Sequence, residues 1–169
     1  TGPGTFGPLL LPSADEAHAW VQAYAADGLA TARRLVDELR ASPPADTRET
    51  LRQWDEVNRH LGNVAAMGSL LSNVHPQEEV RTSSEEAEVE VDRLATALRQ
   101  DRELYDVFAA LDPAGLDPQA ARLLEKVLAD FRRAGVDRDD ATRARLAEIN
   151  ERLTALDQEF GRHTRDDVR

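Results

Sequence analysis

Two stretches of this sequence carry apolar residues at a strict 3, 4 spacing, and that spacing constrains the fold more than any other feature. Trp54, Val57, Leu61, Val64, Gly68 and Leu71 form one such series, and Leu146, Ile149, Leu153, Leu156 and Phe160 form the other. Only a helix of 3.6 residues per turn lines such positions along one face. Nowhere does apolar and polar alternate as in a half-buried strand, and no Asn-Gly or Asp-Gly hairpin turn occurs. The expectation is an all-α chain.

The stops and starts divide it into about six helices. Ser13 and Glu16 read as a capping box opening a first helix that runs to about Arg40, with a stripe of Val21, Tyr24, Gly28, Ala32, Leu35 and Leu39. Ser42-Pro43-Pro44 ends it. The second helix spans about Thr47 to Val74 and stops before Pro76, because the residue preceding a proline avoids the α region. A third, about Gln77 to Arg99, carries Val80, Ala87, Val91, Leu94 and Leu98, and a short fourth carries Leu104, Val107, Phe108 and Leu111. Asp117-Pro118 opens a fifth as N-cap and first helical residue; its stripe is Ala120, Leu123, Leu124, Val127, Leu128 and Phe131, and Gly135 closes it. The sixth begins near Asp139 or Asp140 and reaches Arg165–Arg169 with no Gly or Pro stop, which reads as a chain cut inside a larger protein. Short connections predict antiparallel neighbours. Residues 1–12, with three Gly and three Pro, read as an extended lead-in, and residues 13–169 as one helical lobe.

Composition narrows the function classes. The 169 residues are 41% hydrophobic and 31% charged, enough for amphipathic helices around a real core. The formal net charge of -11 repels polyanions, so neither nucleic acid nor an anionic membrane is an expected partner. No apolar run approaches the roughly 20 residues that span a bilayer; the longest near the start is Leu9-Leu10-Leu11. The absence of cysteine removes disulfides, thiolate metal sites and a cysteine nucleophile, and with a reducing compartment it leads us to expect a cytoplasmic location.

The search for chemistry is mostly negative. There is no His-Glu-x-x-His, P-loop, Rossmann glycine pattern or Gly-x-Ser-x-Gly elbow. Three His–carboxylate spacings place both groups on one helix face: Asp15 with His18, Glu56 with His60, and Glu159 with His163. A metal needs three or four converging ligands, so these read as surface pairs, and a carboxylate-metal bundle ranks last among the readings. Glu85, Glu86, Glu88 and Glu90 read as the solvated face of the third helix, with Arg81 and Arg93 nearby. His75 is expected to cap helix carbonyls. Trp20, Tyr24, Trp54 and Tyr105 are expected to pack in the core in preference to lining a peptide groove. Arg132, Arg133 and Arg138 suit a helix C-terminus. No catalytic, cofactor-binding or metal-binding residue is assigned.

Several phrases nonetheless resemble the N-terminal region of the thimet oligopeptidase family of zinc metallopeptidases. They are Val74-His75-Pro76 followed by Arg81 and an acidic helix, and Asp101-Arg102-Glu103-Leu104-Tyr105. Leu123-Leu124 leading to Asp130-Phe131-Arg132-Arg133-Ala134-Gly135-Val136 follows, then Arg143 to Asn150 and Leu156-Asp157-Gln158-Glu159-Phe160. Together they span about Leu61 to Arg169, with weaker similarity in the first helix. The resemblance implies a nearly all-helical peptidase that cleaves short peptides. It holds zinc through a His-Glu-x-x-His helix and a downstream Glu in its C-terminal half, where the motif's Glu activates the zinc-bound water. The N-terminal helices would form one wall of a deep channel. No family catalytic residue maps onto this sequence, and His75 matches a motif position that is not a zinc ligand. The partners implied are the C-terminal catalytic part of the same polypeptide and short peptides, with a homodimer through an exposed apolar face as a further expectation. A stand-alone helical interaction module is the alternative.

Overall fold

The computed structural model describes residues 12–166. It contains six helices: α1 (Ala17–Ala41), α2 (Thr47–Val74), α3 (Glu78–Arg99), α4 (Arg102–Ala109), α5 (Pro118–Arg133) and α6 (Asp140–Asp166). There is no strand among the described residues, so the chain is all-α, as the spacing predicts. The extended lead-in expected at the start falls almost wholly on residues 1–11, and the missing stop signal partly on 167–169, both outside the described residues.

Helices α1, α2 and α3 pack as an up-down-up core. Gly28 of α1 meets Val64 and the His60 carbonyl of α2, and Gly68 of α2 meets Ser84 and Glu88 of α3, so short side chains let the backbones approach closely. The buried face of α1 is Val21, Ala25, Leu29, Ala32, Val36 and Leu39. Tyr24 and Leu35, expected on that stripe, lie half-buried on its flank, because α2 and α3 together cover a face centred one residue further round the helix.

The second layer is built on aromatic rings. Trp54 of α2, Phe108 of α4 and Phe131 of α5 have centroids 5.4 to 6.0 Å apart, and Tyr105 stands edge-on to Phe131 at 5.9 Å. Phe108 and Phe131 are fully buried, which makes this cluster the pin holding α4 and α5 against α2. Trp20 and Tyr24 stack separately at 5.1 Å, one turn apart on α1.

Local signals set the helix ends. Asp117 accepts from the backbone N–H of Gln119 and Ala120, with Pro118 at the first helical position. Asp46, Asp101 and Asp139 cap α2, α4 and α6 in the same way. Asp101 uses its second oxygen to take Arg40, which ties the last turn of α1 to the start of α4. At the end of α5, Val136 N donates to Phe131 O and Gly135 N to Arg132 O, a Schellman pair that needs the φ of +82° at Gly135. The capping box expected at Ser13 and Glu16 does not form. Ser13 Oγ donates to the Glu16 carboxylate at 2.6 Å, and α1 starts without a side-chain cap.

Candidate functional site

The side of the bundle built by α3 and α6 is where this chain departs most from a closed core. Helix α6 runs antiparallel to α3, and polar groups tie the two helices together. Thr154 Oγ1 donates to Asp92 at 3.3 Å, Gln158 to the Glu85 carbonyl at 3.4 Å, and Arg162 pairs with Glu85 at 3.5 Å. Glu151 lies 3.6 Å from Arg93. At the α6 start, Arg143 donates to the Gln100 carbonyl at 2.9 Å, while Gln100 reaches the Ala134 carbonyl at 3.2 Å. Between the two helices lies a cleft of about 210 Å³ lined by Val89, Asp92, Arg93, Thr96, Thr154 and Gln158.

In this geometry the apolar stripe of α6 is turned away from the bundle core. Ile149, Leu153, Leu156 and Phe160 are 41%, 58%, 44% and 72% exposed. Only Leu146 is half-buried, where its methyl group rests on the spot a Cβ of Gly135 would need. The face turned to the bundle is a second series, Arg143, Ala147, Thr154, Gln158 and Arg162, all half-buried. Those positions also recur at helical spacing, so the signal was present in the sequence, but in polar residues.

The acidic run of α3 is likewise divided by its neighbours and is not one solvated face. Glu86 is exposed and Glu90 pairs with Arg93, whereas Glu85 turns under α6. Glu88 turns toward α2, where Ser72 donates to it at 3.0 Å. Partial burial raises the Glu88 carboxyl above the usual range; the Ser72 hydrogen bond opposes this, and nearby Asp92, Glu85 and Asp157 add to it.

The histidines do not converge. His18 Nδ1 lies 2.9 Å from Ser83 Oγ and 3.3 Å from the Glu79 carbonyl, joining the first turns of α1 and α3. Ser83 already donates to Glu79 O at 3.0 Å, so this His–Ser pair is a tie between helices and not an activated nucleophile. His75 Nδ1 accepts from Gln77 N at 3.2 Å, which caps the start of α3. At the end of α2 it is the His75 backbone N–H that reaches a helix carbonyl, donating to Leu71 O at 3.1 Å, while Arg81 donates to the His75 and Pro76 carbonyls just beyond that end at 2.9 Å. Glu56 pairs with Arg59 at 2.6 Å, and His163 is exposed. Among the described residues, no three His, Asp or Glu side chains come close enough to share a metal ion. Likewise among the described residues, no helix is long and apolar enough to cross a membrane.

No family model matches the chain. It is 28% identical over 131 residues to mitochondrial intermediate peptidase from Homo sapiens, covering 75% of this chain and 18% of that protein. The protein of the same name from Pongo abelii is 26% identical over 162 residues, covering 93% of this chain and 22% of its own length. Mitochondrial intermediate peptidase 1 from Cryptococcus neoformans is 25% identical over 135 residues, 75% of this chain and 18% of the relative. The chain therefore spans about a fifth of the length of the curated relatives it matches, and its similarity is to one segment of a larger peptidase.

Proposed function

We propose that this chain is the N-terminal channel-wall segment of a zinc-dependent oligopeptidase. In this reading it supplies a helical scaffold, and the C-terminal catalytic part of the same polypeptide supplies the zinc and the hydrolytic groups. The observation that carries it is the similarity to mitochondrial intermediate peptidases, which runs through 75% to 93% of this chain while using only 18% to 22% of theirs. The all-helical architecture agrees with it. So does the structural use of His18 Nδ1 and Ser83 Oγ, which join α1 to α3, and of His75 Nδ1, which accepts from Gln77 N.

The contribution of such a segment is geometric. A wall of rigid helices admits short, extended peptides to a recessed centre and excludes folded proteins. Binding energy gathered along the wall then orients the scissile bond. The cleft between α3 and α6, with Asp92, Arg93, Glu151 and Gln158 at its rim, is the part of this segment suited to contact peptide backbone.

Two measurements test this. The coding sequence continuing past Arg169 is expected to encode His-Glu-x-x-His and a later Glu; a frame closing without them removes the reading. The 169-residue chain alone is expected to leave fluorogenic short peptides intact with zinc added, and metal-dependent cleavage by the chain itself would contradict it. For location we retain the cytoplasm, on the cysteine-free sequence, to be checked by cell fractionation. A second reading, a helical interaction module, is favoured by one observation, the uncovered apolar face of α6.

A further inference from the structure

The uncovered residues of α6 form a seam with a definite address. Ile149, Leu153, Leu156 and Phe160 follow one another at 4, 3, 4 spacing, the a and d positions of a heptad over roughly three turns. The opposite side of α6 is already spent on α3 through Thr154, Gln158 and Arg162, so the seam cannot turn inward without breaking those contacts. Its flanks carry charge in a fixed order. Arg152 lies on the Leu156 side with Glu159 one heptad later, and Asn150 and Asp157 lie on the other side. Arg152, Glu159, Asn150 and Asp157 are all exposed.

This order is self-complementary. In an antiparallel helix pair, a positions layer on the partner's d positions, and each flank faces its own counterpart. With the two-fold axis between Leu153 and Leu156, Leu153 layers on the partner's Leu156 and Ile149 on the partner's Phe160, each twice by symmetry. All four exposed apolar residues are then used. The same register sets Arg152 against the partner's Glu159, twice, and Asn150 against the partner's Asp157, with no like charges opposed. Moving the axis to between Ile149 and Leu153 sets Arg152 against the partner's Arg152 and leaves Phe160 facing the partner's Thr142. Charge therefore selects the first register. We propose that α6 is the seam of a two-fold, antiparallel homodimer of this chain, closed by these apolar layers and the reciprocal Arg152–Glu159 pair.

One helix pair is smaller than a standard interface of roughly 1,600 Å², so association should be concentration-dependent. Sedimentation of the 169-residue chain from roughly 5 to 500 μM is expected to show the mass rising from 18.7 kDa toward twice that value. Arg152→Glu should weaken association about tenfold or more, and Arg152→Glu combined with Glu159→Arg should restore it. Both sites are exposed, so neither change threatens the fold. The chain has no cysteine, which allows a direct test of direction. Ile149→Cys mixed with Phe160→Cys should form a disulfide between copies, whereas Ile149→Cys alone should not. A single-chain mass throughout overturns the proposal and leaves the seam to a helix outside these residues. Association indifferent to Arg152→Glu, or self-crosslinking of Ile149→Cys, overturns it too. None of these outcomes bears on the peptidase reading, which rests on the sequence similarity.

Discussion

Two glycines in neighbouring helices should respond to the same substitution with opposite sign. Gly62 lies on the exposed side of α2, where an added Cβ meets nothing within 4 Å. Gly62→Ala therefore gains only the helix-propensity difference, about 0.8 to 1 kcal/mol, because alanine has less backbone entropy to lose. Gly28 is also a mid-helix glycine, but its added Cβ would stand 2.5 Å from Val64 Cγ2, more than 1 Å inside van der Waals contact. Val64 cannot rotate away easily, since it is fully buried and β-branched residues in helices are nearly confined to one rotamer. Helices α1 and α2 must then separate, at an overpacking cost of about 1 to 3 kcal/mol. Subtracting the propensity gain leaves Gly28→Ala destabilising by about 1 kcal/mol. Thermal unfolding followed by circular dichroism at 222 nm should show Gly62→Ala melting about 2 to 4 °C above the parent and Gly28→Ala a similar amount below it. If Gly28→Ala stabilised as much as Gly62→Ala, the close approach of α1 and α2 described here would be wrong.

Phe131→Ala should cost about 3 to 5 kcal/mol, because it removes a buried ring that touches Trp54, Tyr105 and Phe108; urea unfolding would report it as a large fall in midpoint. Leu98→Ala and Leu153→Ala remove the same atoms from positions 4% and 58% exposed, so in dilute solution the first should cost about 2 to 5 kcal/mol and the second under about 1. Equal losses would mean that α6 turns its apolar stripe inward after all. Glu88→Gln should stabilise the chain at pH 7, since partial burial penalises the charged carboxylate whose pKa is raised. That penalty is present above the folded pKa and disappears as pH falls and Glu88 protonates, so the advantage of Gln should shrink between pH 7 and the ordinary carboxylate range. An advantage that grows on acidification would show the sign to be wrong. Asp117→Ala should lower the melting temperature at neutral pH and lose its effect in acid. Asp117 accepts two backbone N–H groups that hold its carboxyl below the usual range, and such stability is lost as pH falls through the folded pKa.

What the sequence by itself determined is nearly everything governed by neighbours within a turn or two. Asp117 caps where it stands because an N-cap needs only a short acceptor beside free backbone N–H groups, and Asp46 and Asp101, not singled out as caps in the sequence, cap α2 and α4 for the same reason. Pro43-Pro44, Pro76 and Gly135 end helices by steric and φ requirements that no distant contact alters. The covered faces of α2 and α3 were also legible, since their stripes are unambiguous and each has a helix on both sides. The partial misreading at Ser13 and Glu16 shows the limit even of local signals: a hydroxyl can donate to a carboxylate as readily as it accepts from the backbone.

Only the tertiary structure decided which face of α6 meets the bundle and how the Glu85–Glu90 run is shared among its surroundings. Periodicity establishes which residues lie together on a helix, not what lies opposite them. Helix α6 carries two stripes at the same spacing. The polar one met α3 because Arg143 joined to Gln100, and Leu146 seated on Gly135, set the direction and rotation with which the helix leaves α5. The Leu153 and Phe160 side was thereby turned outward. The physical reason is that an apolar stripe fixes a demand for a partner surface, while the supply of that surface depends on contacts far away in the chain.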